Sequence, residues 1–127
     1  MGAADPVRHV APGDRVPGHP TPGMAREEAV STDGMWAGFV RTDAGATTAW
    51  HHHGDYESTI FVASGQCRLE SGPGGRETVD AGPGDFVYVP PWAIHREHNP
   101  GGEESHLIVF RAGSEGPAVT NVDGPAG

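Results

Sequence analysis

The sequence predicts an all-β fold in a single domain, from its length, its load of chain-breaking residues and the rhythm of its apolar runs. At 127 residues the chain suits one domain large enough to bury a core. Its 20 glycines and 12 prolines oppose long helices and favour short strands joined by tight turns. Strand-like apolar runs recur at roughly eight-to-twelve-residue spacing with Gly/Pro punctuation, the pattern of a sandwich or small barrel. The one stretch with helical periodicity is 24–30, which spans no more than two turns.

Taken in order, residues 1–23 are Pro/Gly-rich and aperiodic and predict a flexible N-terminal arm. Strands follow at 34–42, 47–53 and 58–63, with a break at Ser64-Gly65 and a further strand at 66–71. Gly72-Pro73-Gly74-Gly75 makes a hairpin turn into 76–80. Gly82-Pro83-Gly84-Asp85 turns the chain again into 86–89, with Asp85 as the turn-capping residue. Pro90-Pro91 ends that strand, 95–98 resumes, and 106–111 closes the series. The ordered domain therefore spans 24–113, and 114–127 forms a second flexible tail.

The formal net charge of −9 repels nucleic acid and anionic membrane surfaces, so the expected partner is a small molecule. All eight basic residues are Arg, as GC-rich coding favours. The single cysteine, Cys67, lies in an alternating apolar run and reads as a buried, inert thiol. No signal-peptide pattern and no apolar run of membrane-spanning length occur, which fits a cytoplasmic protein.

The chemistry concentrates in Trp50-His51-His52-His53-Gly54-Asp55-Tyr56-Glu57. On a strand, successive side chains face opposite sides, so His51 and His53 share one face. Two imidazoles on a stiff strand grip one cation when a later segment supplies another ligand, and His95, beyond the Pro90-Pro91 turn, is the obvious supplier. The bland alternative is a solvated strand end. Imidazole-rich sites select transition metals over Mg and Ca.

Two spacings in this region resemble the two motifs of the cupin family. Gly45, five residues, His51-x-His53 and then Gly65 is similar to the first. Gly84, five residues, Pro90-x-Trp92, two residues, His95, three residues and Asn99 is similar to the second. The resemblance covers 45–99 and implies a single-domain jelly-roll β-sandwich with one divalent transition metal inside, Zn foremost, with Fe, Ni, Cu or Mn as alternatives. It carries ligand roles onto His51, His53 and His95. Trp92 stands where the family motif usually has Gly. The family's usual Glu position falls on Ser58, one residue after Glu57. Strict alternation turns Glu57 outward, whereas a bulge would re-aim it inward as a fourth ligand. The open alternatives are Glu57 as ligand, or as a rim carboxylate beside a three-histidine site.

Glu97 lies two residues after His95 and on a regular strand shares its inward face, which makes it the candidate catalytic acid or base; the alternative is an edge-strand charge in the polar run 96–99. His98 then faces outward, and nothing in its spacing commits His106 to the cavity. The second motif sends Val87 and Val89 inward and Phe86 and Tyr88 outward, where an aromatic face predicts a homodimer. An open metal position in an apolar cavity implies an enzyme. The run from Trp50 to Ser58 also resembles monocupins of aromatic polyketide pathways. This favours cyclase-like Lewis-acid chemistry with proton transfer, with a metal-dependent dioxygenase and a non-catalytic small-molecule-binding module as alternatives.

Overall fold

The computed structural model describes residues 4–113 and 119–127. The described residues form strands β1 (Val16–Pro17), β2 (Met24–Ser31), β3 (Met35–Thr42), β4 (His51–His52), β5 (Glu57–Ser64) and β6 (Cys67–Ser71) in the first half of the chain. They continue with β7 (Glu77–Ala81), β8 (Phe86–Val89), β9 (Arg96–His98), β10 (Ser105–Ala112) and β11 (Thr120–Asn121). Helical structure among them is limited to single 3-10 turns at Pro12–Asp14 and Pro73–Gly75. No helix among them is long and apolar enough to cross a membrane.

The strands make two facing sheets. One is six-stranded in the order β1-β2-β3-β10-β5-β8. The other is built from β7-β6-β9 and β11-β4, joined by antiparallel bridges between Thr47 and His98 and between His51 and His95. The expected jelly-roll sandwich is thus present, with β4 held between the β9 segment and β11. Alternation decides what faces inward: Ser58, Ile60 and Val62 from β5, Leu107, Val109 and Arg111 from β10, Val87 and Val89 from β8. Cys67, Leu69 and Ala81 complete the apolar core from the second sheet. Along the β5–β10 pair the interior therefore changes from apolar (Val62, Leu107) to polar (Ser58, Arg111) towards one end.

Residues 24–30, the one stretch with weak helical spacing, form strand. The segment is rich in Ala, Arg and Glu, good helix formers, but it pairs along most of β3, and the ladder overrides local propensity. The ends also contribute strands. Val16 and Pro17 pair with Glu28 and Glu27, and Thr120 and Asn121 pair with His52 and His51. Residues 1–3 and 114–118 of the expected arm and tail lie outside the described residues.

Candidate metal centre

His51, His53 and His95 converge because two strands hold them in register. His51 and His95 are directly opposed, exchanging backbone hydrogen bonds of 2.9 Å in both directions. Their ring centroids lie 4.4 Å apart, and His53, on the same face two residues on, stands 5.0 Å from each. All three are buried. A carbonyl oxygen only accepts, so the 2.8 Å contact of His51 Nδ1 with the Ala49 carbonyl requires an Nδ1–H donor. The 2.9 Å contact of His95 Nδ1 with the Ala93 carbonyl requires the same. Each ring then presents its Nε2 lone pair to the interior, and both Nε2 atoms are buried without a hydrogen-bond partner. Burial, ahead of the opposing pull of Glu97, lowers the pKa of His51 and keeps it neutral.

These observations fit a metal. The candidate ligand nitrogens lie within 4.8 Å of one another, and metal–imidazole bonds of about 2.0–2.1 Å need only small side-chain rotations to close that spacing. Neutral imidazoles fixed by backbone carbonyls on Nδ1 are the form in which histidine ligates through Nε2.

Glu57 is not brought into this group. It is exposed, and its carboxylate accepts a hydrogen bond from the Tyr88 hydroxyl at 3.1 Å. The bulge that would have turned it inward is absent: β5 pairs regularly with β10 from Glu57 to Val62, and the register shift falls at the other end, between His106 and Leu107. Ser58 takes the inward position instead, and its hydroxyl is buried without a partner.

Glu97 is where its parity with His95 predicts, buried, with Oε2 3.9 Å from His51 Nε2. Its main-chain N–H donates to the Thr48 hydroxyl at 2.9 Å, and the Thr48 N–H donates back to its carbonyl. Burial pushes the carboxyl up, and the positive charge that faces it, with Arg26 the one group there that stays charged beside neutral imidazoles, pulls it below the usual range.

Two further charged side chains enter the cavity that sequence reasoning missed. Arg26 on β2 and Arg111 on β10 are buried, at 6% and 5% exposure. Together with His53, Ser58 and Glu97 they line one narrow interior cavity, whose walls are otherwise Met24, Val40, Ile60, Val89 and Val109. Arg26 also lines two wider openings of about 180 and 280 Å³. The signal was available: Leu107, Val109 and Arg111 share a parity, so the last of them continues an inward series.

The remaining candidates fall outside. His98 is half-buried and bonded through Nδ1 to Thr47 Oγ1 at 2.7 Å. His106 packs on Phe39 and bonds to Glu104 at 2.8 Å, on the outer face. Asp85 caps its turn by accepting from the Gly82 N–H at 2.8 Å. Cys67 is buried and its thiol is pushed up to about 12, chiefly by burial, as an inert core thiol should be.

No curated sequence matches the chain at a significant level. Among solved structures, the polyketide cyclase RemF from Streptomyces resistomycificus is similar, with 21% identity, a TM-score of 0.73 and coverage of 91% of this chain and 85% of that one. KdgF from Halomonas sp. shares 20% identity at a TM-score of 0.70, covering 87% and 97%. An uncharacterised conserved protein with a double-stranded beta-helix domain from Klebsiella pneumoniae subsp. pneumoniae MGH 78578 shares 21% at 0.69, covering 82% and 89%. At these identities the likeness speaks to the fold. The family model of the Cupin domain matches residues 38–111, more than half of the chain and both histidine segments, and the chain thus belongs to the cupin family.

Proposed function

We propose that the chain is a metal-dependent enzyme that performs cyclase-like chemistry on a small carbonyl-rich substrate, with His51, His53 and His95 as the metal ligands and Glu97 as the proton carrier. The observation that carries this reading is the buried Glu97 carboxylate, 3.9 Å from His51 Nε2 on the face of the three imidazoles. A divalent ion held there supplies Lewis acidity to a substrate carbonyl. Glu97 is placed to take a proton from the carbon beside that carbonyl and to return it to the oxygen formed on ring closure. The Arg26 guanidinium faces it with the opposite charge. Val40, Ile60, Val89 and Val109 line the cavity of about 10 Å³ beside Glu97, too small to admit bulk water. The fold likeness to a polyketide cyclase agrees with this reading, which rests on the site itself. The oxygenase alternative needs no carboxylate ligand, but a ligand at Glu57 would favour it, and the Glu57 carboxylate bonds outward to Tyr88. We also infer a homodimer.

The test is elemental analysis of untagged protein purified without chelator, alongside oxygen uptake. Zinc with no oxygen uptake is expected, and His51→Ala and His53→Ala should each lose the metal. Glu97→Gln should keep the metal and lower cyclisation of a poly-β-ketone substrate by about 10²–10⁴-fold. Full metal retained in both histidine variants would sink the ligand assignment. Iron, copper or nickel with substrate-dependent oxygen uptake would overturn the cyclase reading in favour of the oxygenase.

A further inference from the structure

Among the described residues, the buried ionic side chains other than histidine are Arg26, Arg111 and Glu97. The interior therefore holds two guanidinium cations against one carboxylate, before any metal is added. A charge removed from water needs a partner, and burying one without it is strongly unfavourable. Glu97 faces Arg26 and the histidines. Arg26 is further held by Thr21 Oγ1, by the His19 carbonyl at 3.3 Å and by Met24 Sδ at 3.6 Å.

Arg111 has no such set. Its guanidinium lies over the Trp36 ring, 4.8 Å from the centroid, and its Nε is buried with no hydrogen-bond partner. No carboxylate pairs with it among the described residues. Glu28, which lines the same opening, is engaged by the Trp36 indole N–H at 2.9 Å. Burial, and then the like charge of Arg26, pull the Arg111 guanidinium down to about 10 against the opposing charge of Glu97, which lies beyond ion-pair distance. Directly across the β5–β10 pair sits Ser58, whose hydroxyl is also buried and unpartnered. Trp36 reaches beneath Arg111 because it folds over Gly38, where a Cβ would collide with the indole ring. The guanidinium is thus fixed on an aromatic plate, with no hydrogen bond of its own among the described residues. It lies between the cavity of about 10 Å³ that Ser58, His53 and Glu97 line and the opening of about 280 Å³ that Trp36 and Tyr56 line.

We propose that Arg111 and Ser58 form the binding site for a carboxylate carried by the substrate, which makes the substrate a keto acid whose carbonyl is directed to the histidine cluster. A planar guanidinium matches a carboxylate with two parallel N–H donors, and the Ser58 hydroxyl adds a third. Charge balance agrees: a divalent ion at the histidines raises the excess of positive charge, and an anionic substrate offsets it. The assignment of the carbonyl to the histidines rests on the metal reading above; the carboxylate site itself does not.

The experiment uses the full chain, chelator-treated and zinc-reconstituted, titrated with malonate, with neutral malonamide and with inorganic phosphate. Calorimetry reports binding, and so does the tryptophan emission, to which Trp36 beneath Arg111 contributes. Malonate should bind the metal-free protein saturably and bind more tightly with zinc, and malonamide should not bind. Arg111→Met should lower malonate affinity at least about tenfold while zinc stoichiometry is unchanged, and Arg111→Lys should restore part of it. The Arg111→Met melting temperature should be unchanged or raised, because a buried cation without a partner is removed. Zinc bound normally with no malonate binding overturns the carboxylate site and leaves the metal reading standing. Malonate bound in an Arg111-dependent way with no zinc uptake supports the carboxylate site and removes the metal reading. Phosphate bound tighter than malonate overturns the substrate class. A lowered melting temperature in Arg111→Met with malonate affinity intact overturns the proposal in favour of a structural arginine.

Discussion

At Trp92 the backbone holds a φ of 64°, the one positive φ outside glycine among the described residues, at the position where the family motif usually carries Gly. The turn is fixed on both sides: the Trp92 N–H donates to the Gly54 carbonyl at 2.8 Å, and the indole packs against His52 at 5.3 Å between centroids. A side chain with a Cβ is disfavoured in this left-handed region by roughly 1–2 kcal/mol. Trp92→Gly and Trp92→Ala both lose the indole, so their difference isolates the backbone. The glycine variant should be the more stable by about 1 kcal/mol in urea unfolding. An alanine variant equal to it would mean that the turn relaxes and stores no strain. The same scale shows what was legible residue by residue. The resemblance to the cupin motifs supplied His95 and sent Phe86 and Tyr88 outward. Strand parity put His51 and His53 on one face, Ser58 inward, and Glu97 on the face of His95. It also turned Glu57 outward, and the appeal to a bulge went wrong because a bulge leaves no mark in composition. Arg26 and Arg111 lay at inward parity too, but an arginine near a strand end reads first as solvated, and its burial depends on Trp36 and the strap at residues 18–22 that only tertiary structure brings together.

Among the elements, the least legible were those whose pairing is their whole reason to exist. β2 presents Arg, Glu and Ala where a strand usually presents β-branched residues. Its outward Glu27 is matched by Arg41 at 2.7 Å and Arg15 at 3.8 Å, and neither pairing has a local signal. β11 is too short to announce itself. It nevertheless covers the outer edge of β4: Thr120 and Asn121 pair with His52 and His51, and the Val122 N–H donates to the Trp50 carbonyl at 3.0 Å. Removing it leaves the ligand strand supported from one side only. A chain ending at Gly113 should still fold, since its core residues all precede that point. Its zinc affinity should fall by about tenfold, because rigid support of ligands is worth factors of that order, and its melting temperature should drop by a few degrees. Competition titration against a chromophoric chelator reads the first, and a thermal melt the second. Unchanged zinc affinity in a folded truncation would show that the bridge between His51 and His95 suffices to hold the strand.

Over the whole molecule, the two sheets treat their outer faces differently. The six-stranded sheet ends at β8, which among the described residues pairs with β5 alone and leaves its other edge open. On its outer face Phe86 is 68% exposed and Tyr88 57%, with Phe61 packed against Phe86 at 5.0 Å and Phe110 exposed nearby on β10. Isolated exposed apolar side chains are ordinary, but a contiguous aromatic patch beside an open strand edge is a surface that monomers normally cover. The net charge of −9 works against association in general, so a contact must come from a patch this apolar. A second copy related by a two-fold axis covers it most economically, since one patch then serves both partners. Sedimentation equilibrium should return twice the chain mass. Phe86→Glu, which touches neither the core nor the histidines, should return the chain mass with zinc content unchanged. A wild-type chain that stays monomeric at high micromolar concentration would refute the dimer. A Phe86→Glu variant that remains dimeric would move the interface to another face, while the cavity chemistry, which draws every residue named for it from one chain, would stand as argued.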